Sequence, residues 1–465
     1  MTMNKLLSQQ IIRLAARRPP IYLLVLLLLT GSAASCKKYL DARPDQTQVV
    51  PATLQDLQAL LDNVSVMNRS FPSYGEAAAD NYYFPQANYD ALVTAEDKTL
   101  YNWDPAGVVV NGQWLSPYQV VFYANQVLEG LGKAGQGPPS AGIRGAALFF
   151  RAYAFLQVAS LFSKPYDPAT SAADPGIPLR LSSDFNLKSV RASNEQSYQQ
   201  ILADFKSSVR LLPAASAFPS QPVRIAAYAA IARTYLAMGL YTQAGLYADS
   251  CLQLSPPLLD YNTLSKTSAN PIPRFNKETI FYAMSSGSAL LVPSKAKVDS
   301  TLYRSYAAND LRKSIFYKNN NDGTFSFKGN YDGSQSSVIF SGLATDELYL
   351  IAAECQARAG QTDAAMALLN TLLQARWKTG TFQPLGAANA PAALALVLAE
   401  RRKELVFRGL RWTDLRRLNR ESGLQTTLLR KLGQAVYQLP PGDPRYTMLI
   451  PQEVITLSGI AQNPR

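Results

Sequence analysis

Hydrophobic positions recur with helical spacing in two stretches, Ile225–Leu254 and Thr345–Lys378, and a glycine interrupts each of them. The apolar stripe after the second glycine consists of Ala365, Leu368, Leu369, Leu372 and Leu373. Glycine readily adopts the left-handed conformation that ends a helix, so Gly239 and Gly360 predict turns between paired helices. The pattern is typical of tetratricopeptide-like helical hairpins, which need neighbours to bury their apolar faces.

Helical spacing continues elsewhere in the chain. It predicts further helices over Trp114–Leu131 and Ile143–Phe162. Capping signals precede two more helices, at Thr53 with Asp56 and at Ser193 with Gln196. We therefore expect a mostly α-helical fold built from helical hairpins.

Two segments lack a sustained helical period. Asn68–Pro105 is rich in aromatic and polar residues, and we expect a long packed loop there. Ser255–Gly342 contains the turn signals NDG, ending at Gly323, and YDG, ending at Gly333. Short β-prone runs flank these turns, and they include residues 338–340. A small antiparallel β patch inserted into the helical body is the expected result.

The composition excludes several kinds of site. The 465-residue chain has no histidine, which rules out histidine-based acid–base catalysis and histidine-ligated metals. Cys251 and Cys355 fall within predicted helices, where buried free thiols are expected, although a disulfide between them stays open at this stage. We expect no cofactor and no metal. A calcium-binding loop around Gly333 is excluded because Lys328 and Ile339 occupy its first and last positions, where carboxylates are needed.

The N-terminus reads as a targeting segment. Basic residues precede the apolar run Ile21–Thr30, and small residues then lead to Cys36. Ten apolar residues are too few to span a bilayer, so we expect a lipoprotein signal peptide over residues 1–35. Lipid attachment is expected at Cys36, followed by a tether over residues 36–52. Removing residues 1–35 lowers the formal net charge from +12 to +8, which is weak support for nucleic-acid binding.

The most basic stretch is Glu400–Arg420. Its acidic and apolar residues recur among the arginines, with Glu404 and Arg408 four positions apart and Asp414 and Arg417 three apart. Such spacing predicts internal ion pairs on an amphipathic helix pair. We interpret this stretch as structural.

Several motifs, taken in order, resemble the SusD/RagB family of outer-membrane lipoproteins. They are SCKKYLD from Ser35, ALFFRAY from Ala147, SGLATDELYL from Ser341, the Glu400–Arg417 stretch and IPQE from Ile450. The resemblance implies a helical domain over residues 53–465, with loop-rich insertions near 68–105 and 255–342. It also implies a surface-exposed, lipid-anchored protein of the outer membrane. Such a protein delivers oligosaccharides or peptides to a SusC-like TonB-dependent transporter and has no catalytic residues.

The same resemblance implies that ligand contacts come from the inserted loops, because exposed aromatic rings suit sugar rings and peptide side chains. The expected ligand-binding residues are Asn81, Tyr82, Tyr83 and Tyr89, with Tyr303, Arg304 and Tyr331 as secondary choices. Two alternatives stay open. One is a helical-repeat scaffold that binds a partner protein, and the other is a carboxylate-dependent glycosidase, since two carboxylates can come from anywhere in a fold.

Overall fold

The computed structural model describes residues 53–465 apart from residues 70, 108, 135, 136 and 255. The expected signal peptide, the lipidated Cys36 and the tether lie outside the described residues. About 48% of the described residues are helical, which confirms the mostly α-helical fold class.

The helices are α1 (Leu54–Leu61), α2 (Val64–Met67), α3 (Tyr74–Ala78), α4 (Gln86–Asp90), α5 (Ala95–Tyr101), α6 (Gly112–Ala134), α7 (Pro138–Phe162), α8 (Asn194–Leu211), α9 (Arg224–Ala237), α10 (Tyr241–Leu252), α11 (Ser300–Arg304), α12 (Arg312–Ile315), α13 (Thr345–Arg358), α14 (Thr362–Gln374), α15 (Ala390–Glu404), α16 (Arg411–Leu418) and α17 (Gln452–Ser458). The strands are β1 (Tyr82–Tyr83), β2 (Pro175–Pro178), β3 (Arg191–Ser193), β4 (Thr279–Phe281), β5 (Lys297–Val298), β6 (Tyr317–Asn319), β7 (Phe325–Phe327), β8 (Leu343–Ala344), β9 (Leu428–Leu432) and β10 (Ala435–Leu439). They pair antiparallel as β1–β5, β2–β3, β4–β8, β6–β7 and β9–β10, so the described residues hold several small sheets where one patch was expected.

Helices α6–α10 and α13–α15 pack side by side in chain order, and we call them the helical frame. The turns predicted at Gly239 and Gly360 are confirmed, with φ of +73° and +79°. Helices α10 and α13 approach closely because Gly245 lies against Cys355, where an added Cβ would meet the cysteine Cβ at 3.0 Å. Cys251 is the second buried free thiol, as expected, and burial raises the pKa of Cys355 to about 12.

Both predicted capping boxes are confirmed. The Thr53 and Ser193 hydroxyls accept the backbone N–H groups of Asp56 and Gln196, and the Asp56 and Gln196 side chains accept the N–H groups of the cap residues in return. The segment Pro139–Phe162 of α7 is long and apolar enough to cross a membrane. However, 83% of its most apolar window is buried inside the protein, so α7 is a core helix.

The prediction of a long loop over 68–105 is wrong. The segment contains the short helices α3, α4 and α5 and the strand β1. None of these helices exceeds seven residues, which is too short for a helical period to be visible in the sequence. All five residues of α3 are buried, so this stretch is part of the protein interior.

Of the two turn signals in 255–342, one forms a hairpin. The NDG turn joins β6 to β7, as predicted. The YDG signal does not join two paired strands, and Gly333 instead packs close to the backbone of Arg274. Residues 338–340 form no strand and contribute one isolated bridge, from Phe340 to Met284.

The basic stretch is structural, as predicted, but its pairing differs. Asp414 and Arg417 are paired at 2.9 Å, whereas Glu404 and Arg408 do not pair with each other. Glu404 accepts from Arg312 and Arg376, and Arg408 binds Asp346 at 2.9 Å. Helical spacing therefore identified ion pairing, but the partners of two of these residues come from distant segments. Farther along, Ile450 and Pro451 are buried, and α17 begins immediately after them.

Candidate functional site

A second core is rich in aromatic residues and comes mainly from segments 77–101 and 259–344, and we call it the tyrosine layer. Its buried tyrosines are Tyr82, Tyr101, Tyr261, Tyr282, Tyr306, Tyr317 and Tyr331. A buried tyrosine needs a partner for its hydroxyl, and these hydroxyls find partners such as the Tyr306–Tyr317 pair at 2.8 Å. The layer thus supports the surface above it rigidly.

Strands β1 and β5 carry the first part of that surface. Tyr82 pairs with Val298 and Tyr83 with Lys297 in an antiparallel register. Because side chains alternate along a strand, Tyr82 points into the layer while Tyr83 is 36% exposed.

Helix α11 and strand β7 supply the second part. The chain leaves β5 through Asp299, which caps α11 by accepting the Leu302 N–H at 2.8 Å. Tyr303 follows on α11 and stacks on Phe325 of β7, with ring centroids 3.5 Å apart and an interplanar angle of 15°. The Lys313 ammonium lies 4.9 Å from the Tyr303 ring centroid. Both rings of this stack are partly exposed.

We call Tyr83, Tyr303 and Phe325 the ring face. Its electrostatics come from charges around the rings: partial burial, followed by the nearby Asp322 and Asp299 carboxylates, raises the pKa of Tyr83. Asp322 lies in the β6–β7 turn, where hydrogen bonds from Thr324 lower its pKa, with Lys297 contributing. Aromatic planes bordered by carboxylates and ammonium groups can stack on a ring and bind its hydroxyls or amides.

Two of the predicted residues, Tyr83 and Tyr303, belong to this face. Arg304 follows Tyr303 as an exposed residue at the end of α11. Tyr89 is half-buried on α4 and packs against Tyr101, with ring centroids 5.6 Å apart. These four stay predictions as ligand contacts.

The other predicted residues have a structural role instead. Asn81 is buried and donates to the Glu76 Oε1 at 2.7 Å, and Tyr82 is buried with its hydroxyl bonded to the Ala77 carbonyl. Tyr331 is buried, with its hydroxyl 2.9 Å from the Glu278 Oε2. Their side chains are inaccessible to a ligand because they are buried, and each has a polar group bound to a partner inside the protein.

Sequence reasoning missed Phe325, Lys297 and Asp322. Phe325 and Phe327 lie two positions apart on a strand that follows the recognised NDG turn, so they share one face of the hairpin, and Phe325, at the turn end, is the more exposed of the two. Lys297 carries no local signal, because its position opposite Tyr83 depends on strands more than two hundred residues apart.

A concave surface lies beside the N-terminal half of α6. A groove of about 590 Å³ runs between α6, the 178–189 segment and α17. Exposed apolar residues line it, among them Leu115, Phe185 and Leu457. Exposed apolar patches of this kind favour protein or lipid contacts over polar ligands. In the part of the chain that the structure describes, no group of three or more Cys, Asp or Glu residues is arranged to hold a metal ion.

Comparisons with known proteins agree with this architecture. A family model described as starch-binding, associating with outer membrane, matches residues 38–236, and a model described as SusD family matches residues 299–448. No curated protein matches the chain in sequence.

Solved structures with the same fold come from three Bacteroides species. A SusD superfamily protein from Bacteroides thetaiotaomicron aligns with a TM-score of 0.72 at 21% identity, covering 89% of this chain and 100% of its own. A SusD-like carbohydrate binding protein from Bacteroides vulgatus gives 0.66 at 19% identity, covering 88% and 97%. A SusD superfamily protein from Bacteroides fragilis gives 0.69 at 19%, covering 88% and 99%. At these identities the likeness concerns the fold.

Proposed function

The chain belongs to the SusD/RagB family, and on that premise we propose that it is a lipid-anchored outer-membrane subunit that captures oligosaccharides or peptides. It hands them to a SusC-like TonB-dependent transporter. The family is one of nutrient-binding proteins associated with the outer membrane, and its members bind rather than cleave their ligands. We extend both properties to this protein, with Cys36 as the site of lipid attachment.

The observation that carries the proposal is the ring face. Tyr83, Tyr303 and Phe325 present partly exposed aromatic planes on a rigid layer, next to charged groups that can bind hydroxyls. Stacking on such planes requires little side-chain reorganisation, since Tyr303 and Phe325 already hold each other in place. The chemistry suits a saccharide ring, and an aromatic or proline side chain of a peptide is the second choice.

Calorimetric titration with a panel of oligosaccharides and peptides tests the ring face. Changing both Tyr83 and Tyr303 to alanine removes two stacking planes, and we expect affinity to fall by roughly tenfold. Phe185→Ala is the matched control, because Phe185 is an exposed aromatic residue outside the face. Unchanged affinity in the double variant, or equal loss in the control, would contradict this location. Tyr82 is not a suitable target, because its buried ring supports the fold.

Anchoring and delivery need separate tests. Radiolabelled palmitate should attach to the wild-type protein and not to a Cys36→Ala variant. Purification from native membranes should recover a large β-barrel receptor with the protein. Repeated absence of that barrel would count against delivery to a transporter.

A protein-binding scaffold is the second candidate function, and the apolar groove beside α6 favours it. Substitutions in the groove and in the ring face distinguish a protein-binding scaffold from a solute-binding protein. Leu115→Ser together with Leu457→Ser should abolish recovery of a protein partner and leave solute binding intact if the groove is the partner surface. For a glycosidase, turnover of a glycan that is lost on one Asp or Glu substitution would replace the binding proposal.

A further inference from the structure

Arg402 lies in the last turn of α15, where the helical frame meets the ring face. Its Nη2 is 3.2 Å from the Asp80 Oδ2 and 3.7 Å from the Asp299 Oδ1. The same nitrogen donates to the Asp80 carbonyl at 3.2 Å. One guanidinium from the frame therefore contacts two carboxylates from separate segments of the chain.

Each carboxylate lies just before one of the two segments that carry the ring-face tyrosines. We call these two segments the arms of the ring face. Asp80 precedes β1, which carries Tyr83, and Asp299 precedes α11, which carries Tyr303. A backbone hydrogen bond also joins the two arms next to these carboxylates, since the Asp299 N–H donates to the Asn81 carbonyl at 2.9 Å. A change in the distance between Asp80 and Asp299 would thus change the distance between the aromatic planes.

The two carboxylates depend on Arg402 to different degrees. Asp80 also binds Arg411 in a bidentate pair at 2.7 and 2.9 Å. Burial favours the neutral acid at Asp80, but Arg411 and then Arg402 hold its pKa below the usual range. Without Arg402, Asp80 stays anchored to Arg411 of α16, and the charged link to Asp299 is lost.

We propose that Arg402 is a positioning residue of the ring face, fixing the arm that bears Tyr303 against the arm that bears Tyr83. Its effect on ligand affinity rests on the proposed function, whereas its effect on the two arms does not. The Arg402 side chain is 27% exposed, so the ion pairs contribute little to global stability and act on local geometry. A guanidinium suits this role because it stays charged and its Nη2 alone carries two N–H groups that can be directed to different acceptors.

Hydrogen–deuterium exchange of the full chain in detergent micelles tests the positioning directly. Arg402→Met keeps the apolar stem and removes the charge. We expect amide exchange in residues 297–304 to become about three- to tenfold faster, with a smaller increase in residues 80–84 because Asp80 keeps Arg411. Arg420→Met is the matched control, since Arg420 pairs with Asp167 at 2.8 Å at a comparably exposed site away from the face. It should leave both segments unchanged.

A second variant tests whether the effect of Arg402→Met comes from the lost ion pair rather than from altered packing of the new side chain. Asp299→Asn keeps an oxygen that can cap α11 but removes the charge facing Arg402. It should accelerate exchange in residues 297–304 as Arg402→Met does. Wild-type exchange in both variants would overturn the proposal.

Affinity for maltoheptaose then tests the consequence for binding. Arg402→Met should weaken binding severalfold, and Arg402→Lys should restore part of it. With Tyr83 and Tyr303 already changed to alanine, Arg402→Met should have no further effect, because there are no planes left to position. An equal loss in that background would show that Arg402 acts on ligand in another way and overturn the proposal. If the wild type binds no maltoheptaose, starch oligosaccharides are excluded as its ligand, and the exchange data still decide the role of Arg402.

Discussion

The helical frame and the tyrosine layer bury their interiors with different chemistry. In the frame, small and aliphatic residues do most of the packing, as where Gly245 meets Cys355 and where Leu369 lies among α13, α14 and α15. In the layer, tyrosine rings fill the core and their hydroxyls require partners. Apolar packing tolerates small adjustments, whereas a buried hydroxyl or charge loses its partner outright. The frame is therefore suited to support, and the layer to holding surface residues in one arrangement.

A buried ionic network joins the two regions. Arg376, just after α14, binds Glu278 at 2.8 Å and Glu404 at 2.7 Å, and Glu404 also binds Arg312 at 3.0 Å. Glu278 and Arg312 belong to the layer, while Arg376 and Glu404 belong to the frame. Since these side chains are fully buried, each charge depends on the others for solvation.

The largest expected effect comes from breaking this network. Arg376→Met removes the guanidinium that donates to Glu278, Glu404 and the Leu259 carbonyl, so among the described residues Glu404 keeps only Arg312 as a cationic partner and Glu278 keeps none. We expect the free energy of unfolding to fall by about 3–5 kcal/mol, as measured by equilibrium urea unfolding. Arg420→Met removes an exposed pair and should cost no more than about 1 kcal/mol. Similar losses in the two variants would contradict the distinction between buried and exposed pairs.

A cavity in the frame should have a somewhat smaller effect. Leu369 is fully buried in α14, and Leu369→Ala should lower the free energy of unfolding by about 3 kcal/mol. The neighbouring Leu368 is only partly buried, so Leu368→Ala is a matched control with a smaller loss. Leu369 packs in the cluster formed by α13, α14 and α15, whereas the ring face lies on β1, α11 and β7, so ligand affinity at permissive temperature should not change. A parallel loss of affinity would show that the frame and the layer do not act as separable regions.

The third prediction concerns pH and the contact between α3 and the turn before α16. Burial raises the pKa of Glu76 from 4.5 to about 7. Its oxygens accept from Asn81 and from the Gly409 N–H. Between about pH 4.5 and pH 7 the folded protein keeps a proton that the unfolded chain has released. Stability should therefore fall as pH rises through this window, by about 3 kcal/mol in total.

Glu76→Gln should remove that part of the pH dependence. Burial likewise raises the pKa of Glu278 to about 7, so the wild-type curve contains more than one contribution. The informative quantity is the difference between the wild-type and variant unfolding free energies, measured from pH 4 to pH 8. A difference that does not change with pH would show that Glu76 is not protonated in the folded protein at low pH.

The two regions also differ in how well the sequence predicted them. The frame was predictable because each of its helices is long enough to show a period, and because Gly239 and Gly360 mark turns. In the layer, Tyr83 and Tyr303 are partly exposed and stay predictions as ligand contacts, but Tyr82 and Tyr331 were not recognised as buried. A tyrosine suits surface and interior equally, and only its hydroxyl partner decides between them. For Tyr331 that partner is Glu278, 53 residues away, which no local pattern identifies.

The smallest predicted effect separates these two uses of tyrosine. The Tyr331 hydroxyl contacts Glu278 at 2.9 Å and Asp346 at 3.1 Å in the interior, so Tyr331→Phe removes a donor from buried carboxylates. Unfolding free energy should fall by about 1–2 kcal/mol. Tyr83→Phe removes an exposed hydroxyl and should change stability by less than about 0.5 kcal/mol. Ligand affinity should respond in the opposite order, because only Tyr83 has a ring and hydroxyl accessible to a solute. Equal stability losses for the two variants would mean that the Tyr331 hydroxyl is not bound as the geometry indicates.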